Sequence, residues 1–297
     1  MKMPALSAAS LDLTGKPTLV YLRRLWRSPL LLPLTVFSVS LAAALHAAMK
    51  WTDGHIIYSV DDAYIHMAVA KNFANHGLWG CTPFHFSSSS SSLLWTFVLG
   101  IAYRSSGLHD VTPLVFNIAL VVVALAVADR YLTRFAAPAI LRAAALLGLV
   151  VAFPMTGMVL MGMEHILHLL LTIWFAAAAV EALTSRPEDP RSRRRRTIGL
   201  CILAALLGAS RYEGFFLIGL ACLGFFARRQ LLRGVSIGTA ALLPVVAFGA
   251  ISVANGAFFL PNSLMLRAAG PSVSAVSALL KPHSSNRSWS PAFALYW

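Results

Sequence analysis

Two adjacent carboxylates, Asp61 and Asp62, lie in the stretch Ser59-Val60-Asp61-Asp62-Ala63-Tyr64-Ile65-His66, and they are the residues of this chain best suited to take a proton. One could act as general base toward a hydroxyl while the other orients that hydroxyl or binds a divalent cation. A plainer role also fits, because carboxylates at a helix start interact favourably with the helix dipole. Arg211 carries a guanidinium suited to a carboxylate or a phosphate, and Glu213 lies two residues on as its structural partner. Glu164 opens Glu164-His165-Ile166-Leu167-His168, where Glu164 and His168 share a helical face. Two ligands do not make a zinc site, which takes three or four. Asn262 sits in Leu260-Pro261-Asn262-Ser263. The six serines Ser87 to Ser92 read as a flexible lead-in to the apolar run after them, with hydroxyls able to donate to a phosphate. Walker A, dinucleotide, Gly-x-Ser-x-Gly and His-Glu-x-x-His patterns do not occur, so chemistry on soluble nucleotides is unsupported.

The elements that position these residues follow from composition. With 58% hydrophobic and 12% charged residues and a mean hydropathy of +0.72, the chain exceeds the apolar content of soluble domains. The net charge of +13 comes from clusters such as Arg23-Arg24, Arg193 to Arg196 and Arg228-Arg229, set between long apolar runs. That distribution is the positive-inside signature of a membrane protein and argues against a nucleic-acid partner. Three scattered cysteines, Cys81, Cys201 and Cys222, support neither a disulfide framework nor a thiolate metal site. The run Pro29 to Met49 is too long for the apolar core of a signal peptide and long enough to span.

Reading apolar runs against loop charges predicts an all-α polytopic membrane protein. Further runs cover Leu93 to Tyr103, Val111 to Ala128, Ala136 to Phe153, Ile166 to Leu183, Thr197 to Ala209, Phe215 to Ala227 and Val235 to Val253. If all crossed, Arg191 to Arg196 would lie outside, against the positive-inside rule. Leu93 to Tyr103, short and preceded by serines, is therefore assigned to the outer surface. About seven transmembrane helices remain, and Asp61, Asp62, Glu164, Arg211, Glu213 and Asn262 converge on the external side. The expected organisation is a cytoplasmic segment 1–28, a membrane module 29–256 with external loop 50–110, and an external segment 257–297 that reads as a truncated end. Ser59 and Asp62 have capping-box spacing, Tyr64, Ile65, Ala68, Val69 and Phe73 form an apolar stripe, and Gly77 ends the helix, predicting a short surface helix. Ser210 to Gly214 is the apex of a hairpin or the middle of one long kinked span, and the flanking arginine clusters favour the hairpin.

Four stretches give this chain a resemblance to the polytopic glycosyltransferases of the GT-C superfamily: Asp61-Asp62-Ala63-Tyr64-Ile65 with its helix, Ser91-Ser92-Leu93-Leu94-Trp95, Gly162-Met163-Glu164, and Ser210-Arg211-Tyr212-Glu213-Gly214. Leu260-Pro261-Asn262-Ser263 resembles a further external segment. The resemblance implies a seven-span module with two juxtamembrane helices, a polyprenyl-phosphate-linked sugar as donor and an envelope glycan, lipid or protein as acceptor. It also implies a site on the external face of a bacterial cytoplasmic membrane, with Asp61 as base and Asp62 as its partner. Glu164, Arg211, Glu213 and Asn262 then bind substrate, with no certain cofactor beyond a possible divalent cation. His165 and Tyr212 stand where the family pattern has a small residue or proline, and relatives continue into more spans and an external domain. Transport or flipping of a lipid-linked sugar, or an inactive remnant, are the other readings.

Overall fold

The structure, a computed structural model, describes residues 28–184 and 189–261, and within them the regular structure is helical. The helices are α1 (Leu31–Trp51), α2 (Asp61–His76), α3 (Leu93–Ser106), α4 (Thr112–Arg134), α5 (Ala139–Ala152), α6 (Met155–Leu160), α7 (His165–Thr184), α8 (Pro190–Ser210), α9 (Gly214–Ala227) and α10 (Leu231–Ala254). Asn262, most of the expected segment 257–297 and nearly all of 1–28 lie outside the described residues.

Proline and small polar residues set many of the boundaries. Pro113 stands in the first turn of α4, and Pro190 in that of α8, where Asp189 caps the helix by accepting from the Ser192 backbone N–H at 3.1 Å. Pro138 precedes α5, and Pro154 separates α5 from the short α6. Gly77 ends α2 in the left-handed conformation, φ +67°, donating to Phe73 O as its sequence position predicts. The capping box does not form: Val60 is the residue preceding α2, and no side chain caps it.

Four helices, α1, α4, α7 and α10, are long and apolar enough to cross a membrane. By length and composition alone this gives four candidate spans where about seven are expected from the sequence. Helices α5 and α9 are apolar but 14 residues long, a rise of about 21 Å against a hydrocarbon core of about 30 Å. Helix α8 has 21 residues, but its helical pattern runs back through Arg191 and Arg193 to Arg196. Large apolar side chains face outward, such as Leu232 at 86% exposure and Val151 at 66%, the distribution of a protein solvated by lipid.

Packing divides into three connected clusters. Phe37 and Leu41 of α1 meet Val121 and Leu125 of α4, Leu146 and Val150 of α5 and Ile166 of α7. Phe175 of α7 packs with Leu200 and Leu207 of α8, Phe225 of α9 and Ile237 of α10. Helices α2 and α3 form the third, around Ala70, Ala74, Trp95 and Leu99. The buried face of α2 is made of Ala63, His66, Val69, Ala70, Asn72 and Ala74, so of the expected stripe Tyr64, Ile65, Ala68, Val69 and Phe73 only Val69 is fully buried and the face is rotated. Small residues win that face because α3 approaches closely: a Cβ added at Gly100 would meet the Phe73 ring at 2.9 Å.

Long-range contacts give the helices their directions. Asn117 near the start of α4 donates to Met163 O just before α7, and Arg134 at the end of α4 pairs with Glu181 near the end of α7, so these two run parallel. Arg233 at the start of α10 donates to Thr197 Oγ1 of α8 at 2.8 Å and lies over the Phe225 ring of α9. The start of α8 and the end of α9 therefore meet at one level, which makes α8 and α9 the hairpin expected from their flanking arginines. Arg134, Arg142, Arg193 to Arg196, Arg228, Arg229 and Arg233 gather at one end of the molecule, and Asp62, Glu164, Arg211 and Glu213 at the other.

Candidate functional site

The carboxylate end is assembled by three breaks in helix: the start of α2, the turn before α7 and the turn between α8 and α9. Gly162 makes the second possible. Its φ is +69°, and a Cβ there would stand 2.4 Å from the Tyr58 ring, so only glycine fits. The Tyr58 ring is fixed in turn, its hydroxyl donating to Asp110 O at 2.6 Å and accepting from the Leu114 backbone N–H at 3.2 Å. The carbonyl of Gly162 accepts from Trp95 Nε1 at 3.2 Å, tying α3 to the same turn.

Glu164 follows with 0% exposure. Its Oε1 accepts from Arg211 Nη1 at 2.8 Å, while Oε2 faces His66 Nε2 at 3.5 Å, too long for a hydrogen bond, and has no other donor among the described residues. Burial raises the Glu164 carboxyl above the usual range, against the pull of its own backbone N–H and of Arg211, and Asp62 adds to the rise. Asp62, half-buried at the first turn of α2, is thus close enough for its charge to act on Glu164. Asp61 is exposed and makes no hydrogen bond or ion pair among the described residues.

Arg211 lies in the turn that ends α8 in extended backbone. Besides Glu164 it grips Glu213 through Nη2 to Oε1 at 3.0 Å and Nε to Oε2 at 3.3 Å, and Nη1 also approaches His165 Nε2 at 3.4 Å. The bond from Arg211 holds the Glu213 carboxyl below its ordinary range. Of the five guanidinium N–H groups, one on Nη2 has no acceptor among the described residues. The structural pairing with Glu213 is thus present, together with a second carboxylate.

His66 is the member that inspection of charged motifs missed. It is 1% exposed, and burial first, then Arg211, lowers its pKa from 6.5 to about 4, so it is neutral at physiological pH. Nδ1 contacts Thr96 Oγ1 at 2.9 Å and Ser90 Oγ at 3.0 Å, and Ser90 in turn donates to Ser92 O. The serine run is therefore not a flexible lead-in. Ser90 and Ser92 are buried, Ser92 caps α3 by accepting from the Trp95 backbone N–H, and the hydroxyls fix the imidazole from behind. The available signal was spacing: His66 follows Asp62 by one helical turn, on the same face as Ala63 and Ala70.

His168 does not join Glu164 as a ligand pair, since its Nδ1 contacts Ser210 Oγ at 2.8 Å. No group of three or more His, Cys, Asp or Glu side chains among the described residues is placed to hold a metal ion. The structure brings Asp62, Glu164, Arg211 and Glu213 together, with Asp61 at the same helix start. Compared with known proteins, the chain matches no family model, and none of the curated proteins or solved structures matches it.

Proposed function

We propose that this chain is a membrane glycosyltransferase of the GT-C kind, transferring a sugar from a polyprenyl-phosphate donor to an envelope acceptor hydroxyl at the outer face of a bacterial cytoplasmic membrane. The observation that carries this reading is the buried Glu164 carboxylate, bonded to Arg211 and facing His66, at the same end of the molecule as the start of α2 with its exposed Asp61, opposite the arginine clusters. Buried charge at a membrane boundary is costly and is retained where it acts on a ligand. Seven passages of the bilayer are part of the proposal: α5 with α6, the apolar part of α8, and α9 add to the four long helices. The shared direction of α4 and α7 and the α8–α9 hairpin support this count.

In the proposed reaction Asp61 takes the proton of the acceptor hydroxyl as its oxygen bonds to the anomeric carbon. The bond from that carbon to the phosphate oxygen breaks, and polyprenyl phosphate leaves with the electron pair, inverting the centre. Asp62 positions the acceptor or a cation, and the remaining Nη2 N–H of Arg211 stabilises charge on the departing phosphate. Glu213, 58% exposed, can yield to that phosphate, while buried Glu164 keeps the guanidinium oriented. Asn262 is assigned to substrate binding by its place on the external side in the sequence and by the resemblance of Leu260-Pro261-Asn262-Ser263.

The test supplies radiolabelled polyprenyl-phosphate sugars to membranes containing this chain. Asp61→Asn is expected to abolish transfer without reducing the amount of folded protein. Normal transfer by that variant would remove Asp61 as the base, and movement of the labelled lipid across the bilayer without transfer would favour the transporter reading.

A further inference from the structure

The arginine end contains a cleft of about 650 Å³ between the first turns of α8 and α10 and the link from α9, lined by Arg193, Arg194, Arg229 and Arg233 with no acidic side chain among the described lining residues. Its volume is that of a small-ligand site. The arginines of this end are not alike. Arg134 and Arg196 pair with Glu181, and Arg142 with Asp129. Arg193, Arg194 and Arg229 are exposed and have no ion pair among the described residues. Asp189, the residue before Pro190 at the cleft, is occupied as the cap of α8, accepting from Ser192 N–H. Arg233 is oriented by Thr197 Oγ1 at 2.8 Å and Gln230 Oε1 at 3.0 Å.

Arg229 adds an independent sign. Its φ is +57°, at the end of a helix, where glycine is the usual occupant. The fold keeps a large charged residue in a conformation that disfavours it, and that residue faces the cleft. At the rim Leu231 and Leu232 are 61% and 86% exposed, an apolar edge beside the cationic floor.

We propose that this cleft binds a phosphate group, with Arg193, Arg194 and Arg229 as charge-assisted donors. Guanidinium matches phosphate geometry with paired N–H groups, and basic pockets between helices at a membrane face suit anionic lipid headgroups. The phosphate is carried by such a headgroup, with its chains along Leu231 and Leu232, or by a soluble phosphate.

The purified chain in detergent is titrated with phosphatidylglycerol, with phosphatidylcholine as zwitterionic control, and with inorganic phosphate, reading bound lipid by native mass spectrometry and the shift in Tm. The triple variant R193Q/R194Q/R229Q is expected to weaken phosphatidylglycerol binding roughly tenfold or more, as loss of about 1.4 kcal/mol of charge-assisted bonding requires. R191Q/R195Q/R228Q removes the same charge from outside the cleft and is expected to change it less than about twofold. Arg229→Gly relieves the left-handed backbone, so it should keep or raise Tm while weakening binding, which separates a lost site from a damaged fold. Inorganic phosphate raising Tm through the same three arginines, with no preference for phosphatidylglycerol, would assign the cleft to a soluble phosphate. Equal losses in both triple variants, or no response to either phosphate source, would overturn the proposal.

Discussion

Arg211 Nη1 donates to Glu164 Oε1 at 2.8 Å, joining the turn after α8 to the turn before α7 across 47 residues of sequence. Glu164 is wholly buried and the Arg211 side chain is 18% exposed, so water screens the pair little. The contact holds the two turns in register and keeps the guanidinium between Glu164 and Glu213.

Removing one partner of such a pair leaves an uncompensated buried charge. Arg211→Met is expected to cost about 3 kcal/mol. Glu164→Gln should cost less, because Arg211 keeps Glu213. The double variant should recover part of the sum, giving a coupling energy of about 1–3 kcal/mol in a double-mutant cycle read by thermal unfolding in detergent. Additive losses would mean that the two groups act independently.

Stability should also depend on His66. Its folded pKa of about 4 lies below the unfolded 6.5. The unfolded chain therefore takes up a proton that the folded chain refuses, and stability falls as pH drops from 6.5 to about 4, then levels off. Glu164 acts in the opposite sense: its raised pKa makes the folded chain the better proton acceptor, so its contribution is present below 4.5 and is lost as pH rises. Arg211 and Glu164 face His66 and are its charged partners. Tm measured from pH 4 to 8 should show a steeper acid loss in the wild type than in His66→Gln, and parallel curves would count against the buried neutral imidazole.

Much of this arrangement was legible in the sequence. Apolar runs predicted the helices, loop arginines predicted the α8–α9 hairpin, and the sidedness of Glu164 and Arg211 followed from both. Length was harder to read: apolar composition did not show that Pro138 and Pro154 would confine α5 to 14 residues. The role of His66 was hidden because Ser90 and Thr96 lie 24 and 30 residues away and meet it only after α3 packs on α2. A serine run of low complexity read as a flexible lead-in to α3, yet burial between helices turned the Ser90 and Ser92 hydroxyls into fixed partners. Residues paired through tertiary contact carry no local period to betray them.

Gly162→Ala tests the turn that presents Glu164. Left-handed backbone costs an alanine about 1–2 kcal/mol, and the added Cβ also meets a Tyr58 ring anchored by two hydrogen bonds. A total loss of about 2–4 kcal/mol is expected, adding the overpacking penalty to the backbone cost. Tryptophan fluorescence should change as well, because Trp95 Nε1 donates to the Gly162 carbonyl. An unchanged Tm would show that the turn relaxes without strain.

The proposed orientation is open to chemical labelling. Cys81 is exposed and follows α2 toward the serine segment, at the carboxylate end, whereas Cys222 is buried in α9. An impermeant maleimide added to intact cells should label Cys81 in a Cys201→Ala/Cys222→Ala background. In the same background, with Cys81 replaced by Ser, Ser192→Cys should react only after the membrane is permeabilised, since Ser192 is exposed among the arginines at the start of α8. The positive-inside bias requires this asymmetry if the arginine end is cytoplasmic. Labelling of Ser192→Cys from outside, with Cys81 protected, would invert the molecule and put Asp61 on the wrong side for an extracytoplasmic lipid-linked donor.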